Sequence, residues 1–177
     1  MHSFAKAYLS FLPKTGGGWI FFLARPALML AVAVAVSVWS PSTITHVFGQ
    51  MVTALTVLTG FAFNALFSDL VSCHTILPDP KNEGDRVDVA RISRLASNFD
   101  LRFKLFMPMA ISEIILLVFL GLFPVLKNPE GLSLFTASSA LAFFLFLECL
   151  YVFYRMAETI IAMIDQKRRY LARHCRG

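Results

Sequence analysis

Hydrophobic residues along this chain form four long runs separated by short polar segments. From Pro26 to Ser68 there is no Asp, Glu, Lys or Arg, and from Gly131 to Tyr154 the only such residue is Glu148. A helix needs about 20 mostly apolar residues to cross a hydrocarbon core about 30 Å thick. Four stretches meet this requirement and are predicted to be transmembrane helices: 19–39, 47–68, 105–125 and 132–154.

Polar breaks group these four stretches into two hairpins. Residues 40–42 contain a proline, which removes a helix donor and restricts the residue before it, and residues 127–131 are typical of a tight polar turn. The predicted fold is therefore all-α: a polytopic membrane protein with four transmembrane helices as two hairpins, and with cytoplasmic amphipathic helices. The predicted organisation is an interfacial segment 1–18, a first hairpin 19–68, a central loop and amphipathic helix 69–104, a second hairpin 105–154 and a basic C-terminal helix 155–177.

Composition and charge support this class and set its orientation. Hydrophobic residues make up 57% of the chain and charged residues only 15%, against about 25% charged in a typical soluble domain. These values exclude nucleic-acid enzymes, secreted disulfide scaffolds and disordered tails. Of the 16 Lys and Arg residues only Lys127 falls in an outer turn. Because cytoplasmic segments carry the excess of Lys and Arg, we expect both termini and the central segment on the cytoplasmic side of a bacterial inner membrane.

The segments outside the bilayer are rich in basic residues. Asp88 is predicted to cap a helix whose apolar face runs from Val89 to Phe103 and continues into the third span. The last span is expected to continue into the cytosol. These basic side chains bind either anionic lipid or an acidic cytosolic partner or nucleotide ligand, and sequence-specific nucleic-acid binding is not expected. The predicted binding residues are Arg91, Arg94, Arg102, Lys167, Arg168, Arg169 and Arg173.

Polar residues inside the spans are the main functional candidates, since ionisable groups are costly in a bilayer. Arg25, Asn64, Glu113 and Glu148 lie in four different spans, and the three ionisable ones are about 9–12 Å below the inner interface at about 1.5 Å per residue. One interpretation is a network that fixes helix register, with Arg25 neutralising one or both carboxylates. The other is a layer of carboxylates that lines a cation path or binds a proton in an oligomer.

The second span also carries a stripe of small and hydroxyl residues. Gly49, Thr53, Thr56 and Gly60 lie at helical spacing, in line with Asn64. Such a face either permits close helix packing in lipid or lines a narrow water-filled pore. No catalytic motif is present in the sequence, and no cofactor or metal site is predicted.

These observations predict a non-enzymatic, homo-oligomeric membrane protein that couples to a cytosolic partner and conducts ions or perturbs the bilayer. Four helices are too few to enclose a hydrated pore, so conduction requires several copies. A small proton-coupled transporter and a passive membrane anchor for a cytosolic complex are the two alternatives.

Two segments resemble parts of a known group of proteins. The second span ends in Leu58-Thr59-Gly60-Phe61-Ala62-Phe63-Asn64-Ala65-Leu66, and the run Leu95-Ala96-Ser97-Asn98-Phe99 leads into the third span. The layout resembles the small four-helix membrane subunits of bacterial anti-phage defence operons, such as the Kiwa membrane component or four-helix effectors of nucleotide-signalling systems. The resemblance implies a sensor or effector that is held to a cytosolic partner and acts on the membrane during infection.

Overall fold

A computed structural model describes residues 18–39, 41–67, 77, 79–80, 82–122 and 132–174. The predicted interfacial segment 1–18 lies almost entirely outside these residues, and so do the turn at 127–131 and most of the loop that opens the central segment. Every regular secondary-structure element in the described residues is an α-helix. These residues form four helices, α1 (Gly18–Trp39), α2 (Pro41–Phe67), α3 (Glu83–Leu122) and α4 (Leu132–His174).

Three of the four helices, α2, α3 and α4, are long and apolar enough to cross a membrane. In α1 the described apolar stretch, Ala24–Val38, is shorter. The prediction of an all-α chain with helices long and apolar enough to span a membrane is therefore confirmed, and the arrangement of four spans as two hairpins stays a prediction.

Helices α3 and α4 are much longer than a bilayer is thick. They contain 40 and 43 residues, which at about 1.5 Å per residue gives lengths of about 60 and 65 Å. A hydrocarbon core of about 30 Å accommodates half of each helix. The polar half of α3 is its beginning and the polar half of α4 is its end, so both extend from the same side of the bundle.

These two helices form an antiparallel pair. Near the beginning of α3, Asp88 contacts Gln166 near the end of α4, and further along, the rings of Phe106 and Phe153 lie 5.7 Å apart. Buried side chains such as Met163 fill the space between the helices. We call the part of this pair formed by 83–104 and 155–174 the distal hairpin.

The other two helices pack on opposite members of this pair. Helix α1 contacts mainly α4, and α2 contacts mainly α3. The face of α1 turned towards the bundle is narrow, since Ala33 and Ser37 are buried one turn apart while Val34 and Val36 are exposed. Small side chains on a shared face allow helices to approach closely in lipid. The first hairpin is therefore held to the bundle through α3 and α4 rather than by extensive contact between α1 and α2.

The start of α3 differs from the prediction. The helix begins at Glu83, and the side chain of Asn82 accepts a hydrogen bond of 2.8 Å from the backbone N–H of Asp85. Asn82 is therefore the N-cap, because it satisfies one of the unpaired donors of the first turn. The predicted cap, Asp88, lies inside the helix and faces α4.

Candidate functional site

Two of the four predicted intramembrane polar residues form an ion pair. Nη2 of Arg25 donates a hydrogen bond of 2.7 Å to Oε2 of Glu148, and the two side chains are 20% and 5% exposed. The guanidinium also lies 3.8 Å from the centre of the Tyr151 ring. Glu148 and Tyr151 are three residues apart on α4, so they lie on the same face of the helix. Arg25 therefore joins α1 to α4 through both a charge and an aromatic ring.

Glu113 does not join this pair. It is fully buried on α3, and both carboxylate oxygens are without a hydrogen-bond partner among the described residues. Its neighbours on the same helix face, Ala110 and Leu117, are buried and apolar. Burying an ionised carboxylate without a partner is costly, so Glu113 is the group in the bundle best placed to hold a proton or a cation.

Asn64 and the stripe on α2 face away from the rest of the chain. All five residues are exposed, and no atom would meet an added Cβ within 4 Å at either Gly49 or Gly60. The hydroxyls of Thr53 and Thr56 donate to the carbonyls of the residues four positions earlier, at 2.9 and 2.8 Å. The stripe therefore does not mediate helix packing among the described residues.

The predicted basic residues separate into three groups. Arg102 donates to the carbonyl of Arg155 at 2.6 Å and to the hydroxyl of Thr159, and Lys167 is buried between the helices. These two residues help to hold the distal hairpin together. Arg94 and Arg168 are exposed on its surface.

The third group, Arg91, Arg169 and Arg173, lines one groove in the distal hairpin. The groove has a volume of about 530 Å³. We call it the arginine groove. Its described lining consists of Asp88, Arg91, Gln166, Arg169, Ala172 and Arg173.

Asp88 organises this groove. One carboxylate oxygen accepts a hydrogen bond of 2.7 Å from the Gln166 amide, and the other pairs with Arg173. The Arg173 guanidinium lowers the pKa of the Asp88 carboxyl, and this effect exceeds the opposing effect of burial. The carboxylate is therefore ionised at neutral pH and fixes one side of Arg173.

Sequence reasoning missed Asp88, Gln166 and Tyr151 as site residues. Asp88 and Gln166 are 78 positions apart, and no local spacing indicates that they meet. Tyr151 could have been found, because an aromatic residue three positions after Glu148 shares its helix face.

No protein-family model, curated protein or solved structure matches this chain. The residues and their geometry therefore carry the functional argument.

Proposed function

We propose that this chain is a non-enzymatic, oligomeric protein of the bacterial inner membrane that works as a sensor or effector. Its distal hairpin receives an anionic ligand or a cytosolic protein, and its membrane part responds by conducting ions or perturbing the bilayer. The observation that carries the proposal is that α3 and α4 bear both the arginine groove and the buried carboxyl groups. An event at the groove therefore acts on the same two helices that hold Glu113 and Glu148.

The distance between these regions suits transmission along a helix pair. Asp88 and Glu113 are 25 residues apart on one helix, which is about 37 Å at the usual rise. Continuous helices and packed side chains can carry energetic coupling over 20–40 Å when they have two arrangements. In the proposed mechanism, ligand binding shifts α3 relative to α4, and this shift alters the surroundings of Glu113 and the ion pair.

Conduction would require several copies of the chain. In the single chain Glu113 is fully covered and Arg25 is paired with Glu148. The outward-facing stripe on α2 has the small side chains that favour helix association in lipid. We propose that α2 contacts other copies, with Asn64 and the threonines either in that contact or along a path between subunits.

The test is ion flux from liposomes that contain the purified protein. Glu113→Gln and Glu148→Gln each remove one intramembrane carboxylate, and we expect each to change the flux by tenfold or more, a difference of about 1.4 kcal/mol in the barrier. Glu158→Gln is the matched control, since Glu158 lies half exposed on α4 beyond the predicted span, where it pairs with Arg155. Unchanged flux in both variants would contradict the conducting role and favour a passive anchor.

The cellular setting is proposed from charge and resemblance. The distribution of Lys and Arg supports cytoplasmic termini, and the resemblance to anti-phage membrane subunits supports a role during infection. The efficiency of phage plating on cells carrying the intact operon, compared with cells in which only this chain is deleted, tests that role. Equal plating for every phage in a broad panel would contradict it.

A proton-coupled transporter is the second candidate, and Glu113 is the observation that favours it. An arginine beside both carboxylates would keep them ionised and unavailable for proton exchange. Arg25 instead pairs with Glu148 and leaves Glu113 without a hydrogen-bond partner among the described residues. A membrane carboxyl group of this kind is typical of proton-coupled carriers. Substrate accumulation in vesicles that follows an imposed pH gradient, and that Glu113→Gln abolishes, would favour the transporter over the channel.

A further inference from the structure

The arginine groove brings basic side chains together from the two helices of the distal hairpin. Arg91 comes from α3, and Arg169 and Arg173 come from α4, one helical turn apart. No segment of the linear sequence contains all three. The helix pair therefore creates a local concentration of positive charge that neither helix has alone.

Two of the three groove arginines are paired with carboxylates, which hold them in place and offset part of their positive charge. The described lining holds three arginines and a single carboxylate, Asp88. Asp88 is already engaged by Gln166 and Arg173, and its side chain is only 16% exposed, against 52% for Arg173. Asp165 pairs with Arg169 at 2.7 Å from outside the lining. Asp85 also acts electrostatically on Arg173. Arg91 is exposed and forms no ion pair among the described residues, so its positive charge faces solvent without a direct counter-charge.

Arg173 is oriented for a further anionic group. Its Nε–H points to the carbonyl of Arg169 at 3.4 Å, and Nη2 donates to Asp88. A guanidinium has five N–H donors in a rigid planar fork, so donors on Nη1 remain for a ligand. Planar forks of this kind match the oxygens of a phosphoryl group in pairs.

The composition of the groove indicates which part of a ligand it recognises. Ala172 is the one apolar residue in the described lining, and that lining contains no aromatic side chain that could stack on a nucleobase. The volume of about 530 Å³ falls within the usual range of about 300–1,000 Å³ for ligand pockets. These features fit a charged, extended phosphate group rather than a planar base.

The position of the groove along the hairpin bears on the source of that phosphate. Arg91 lies 14 residues before the start of the predicted third span, and Arg169 lies 15 residues after the end of the fourth, so both are about 20 Å beyond the hydrocarbon boundary. Headgroup regions add only about 5–8 Å on each side of the hydrocarbon core. Even a helix tilt of about 40°, the upper end of the usual range, leaves the groove outside the headgroups. A soluble ligand reaches it more easily than a lipid of the same membrane.

We propose that the arginine groove is a binding site for the phosphoryl groups of a soluble, multiply phosphorylated anion, with Arg91, Arg169 and Arg173 as ligand contacts and Asp88 as a positioning residue. This inference rests on the proposed function, because it names the chemical class of the signal that the distal hairpin receives.

The probe is sodium tripolyphosphate, titrated by calorimetry into the full-length protein in nanodiscs of zwitterionic lipid. We expect saturable binding, weakened about tenfold or more by Arg91→Gln or by Arg169→Gln, as for the loss of one hydrogen bond to a charged group. Arg94→Gln and Arg168→Gln are matched controls, since they remove the same charge from the same helices outside the groove. These controls are expected to change the affinity by less than a factor of three.

Three results would overturn the inference. A folded wild type that shows no saturable binding of tripolyphosphate would contradict the proposed site. The melting temperatures of all variants, compared with that of the wild type, show whether each is folded. An equal loss of affinity in control and groove variants would show diffuse charge attraction. Binding of the protein to anionic lipid in nanodiscs, if it is lost in the groove variants and is not competed by tripolyphosphate, would show that lipid supplies the phosphate.

The outcome is separable from that of the proposed function. Saturable binding together with unaltered liposome flux in the Glu113 and Glu148 variants would retain the groove and reject conduction. Flux that depends on these carboxylates, with no tripolyphosphate binding, would retain conduction and reject the groove.

Discussion

The ion pair between Arg25 and Glu148 makes a quantitative prediction about the stability of the membrane bundle. Glu148→Gln leaves the Arg25 guanidinium in a mostly buried position without its counter-charge, and Arg25→Met leaves the Glu148 carboxylate in the same situation. Removing one partner of a buried pair costs about 3–5 kcal/mol. Because the Arg25 side chain keeps 20% of its exposure, we expect the lower end, about 3 kcal/mol, or roughly a 100-fold change in the folded-to-unfolded ratio.

The double variant separates the pair from its two members. When both charges are removed, no uncompensated charge remains, so Arg25→Met combined with Glu148→Gln is expected to lie within about 1 kcal/mol of the wild type. Titration with sodium dodecyl sulfate, followed by helix circular dichroism, measures the free energy of unfolding. Glu158→Gln on the same helix is the control, because half-exposed pairs contribute about 0–1 kcal/mol. Additive losses in the double variant would refute a direct interaction between the two charges.

Three further predictions concern the distal hairpin. Met163 is fully buried, so Met163→Ala is expected to lower the free energy of unfolding by about 2–5 kcal/mol. Ile161 is 68% exposed, so Ile161→Ala is expected to lower the melting temperature little or not at all. Similar losses of stability in the two variants would contradict the packing. Asn82→Ala is expected to cost about 1 kcal/mol through loss of the cap, measured by the same denaturation and compared with Asn82→Asp, which keeps an acceptor. The pairing with Arg173 lowers the pKa of Asp88 in the folded protein. The pair therefore stabilises the folded state fully above the pKa of the unfolded chain, about 3.9, and this stabilisation is lost as the pH falls through the lowered pKa of the folded state. The difference in melting temperature between the wild type and Asp88→Asn should therefore shrink as the pH falls below about 4. A difference that does not depend on pH would contradict the ion pair between Asp88 and Arg173.

The hydrophobic pattern predicts the positions of the helices closely, but it does not predict which faces of the helices contact one another. The run of apolar positions from Val89 into the third span predicts a continuous helix, and α3 is one helix from Glu83 to Leu122. The sequence predicts its N-cap at Asp88, six residues after the observed cap, Asn82. Both Asn82 and Asp88 are good caps by residue type, and the contact of Asp88 with α4, which only the tertiary structure creates, decides between them.

The polar residues show the same limit. Depth along the spans predicts correctly that Arg25 and Glu148 lie at one level, and charge indicates that they can pair. Depth says nothing about rotation around a helix axis, and rotation turns Asn64 outwards while it encloses Glu113. In the distal hairpin, rotation likewise buries Lys167 and exposes its neighbour Arg168. Groups that share a sequence segment therefore have different chemical roles.

We propose that several copies of this chain assemble in the membrane, with their distal hairpins together on the cytoplasmic side. Native mass measurement of the nanodisc-held particle, purified after co-expression with its genomic neighbours, tests it most directly, because conduction requires more helices than one chain supplies. We expect a defined closed oligomer of three or more copies that carries a stoichiometric cytosolic protein. A dimer with nothing attached would favour the transporter, and a single copy at every protein concentration would contradict the proposed assembly.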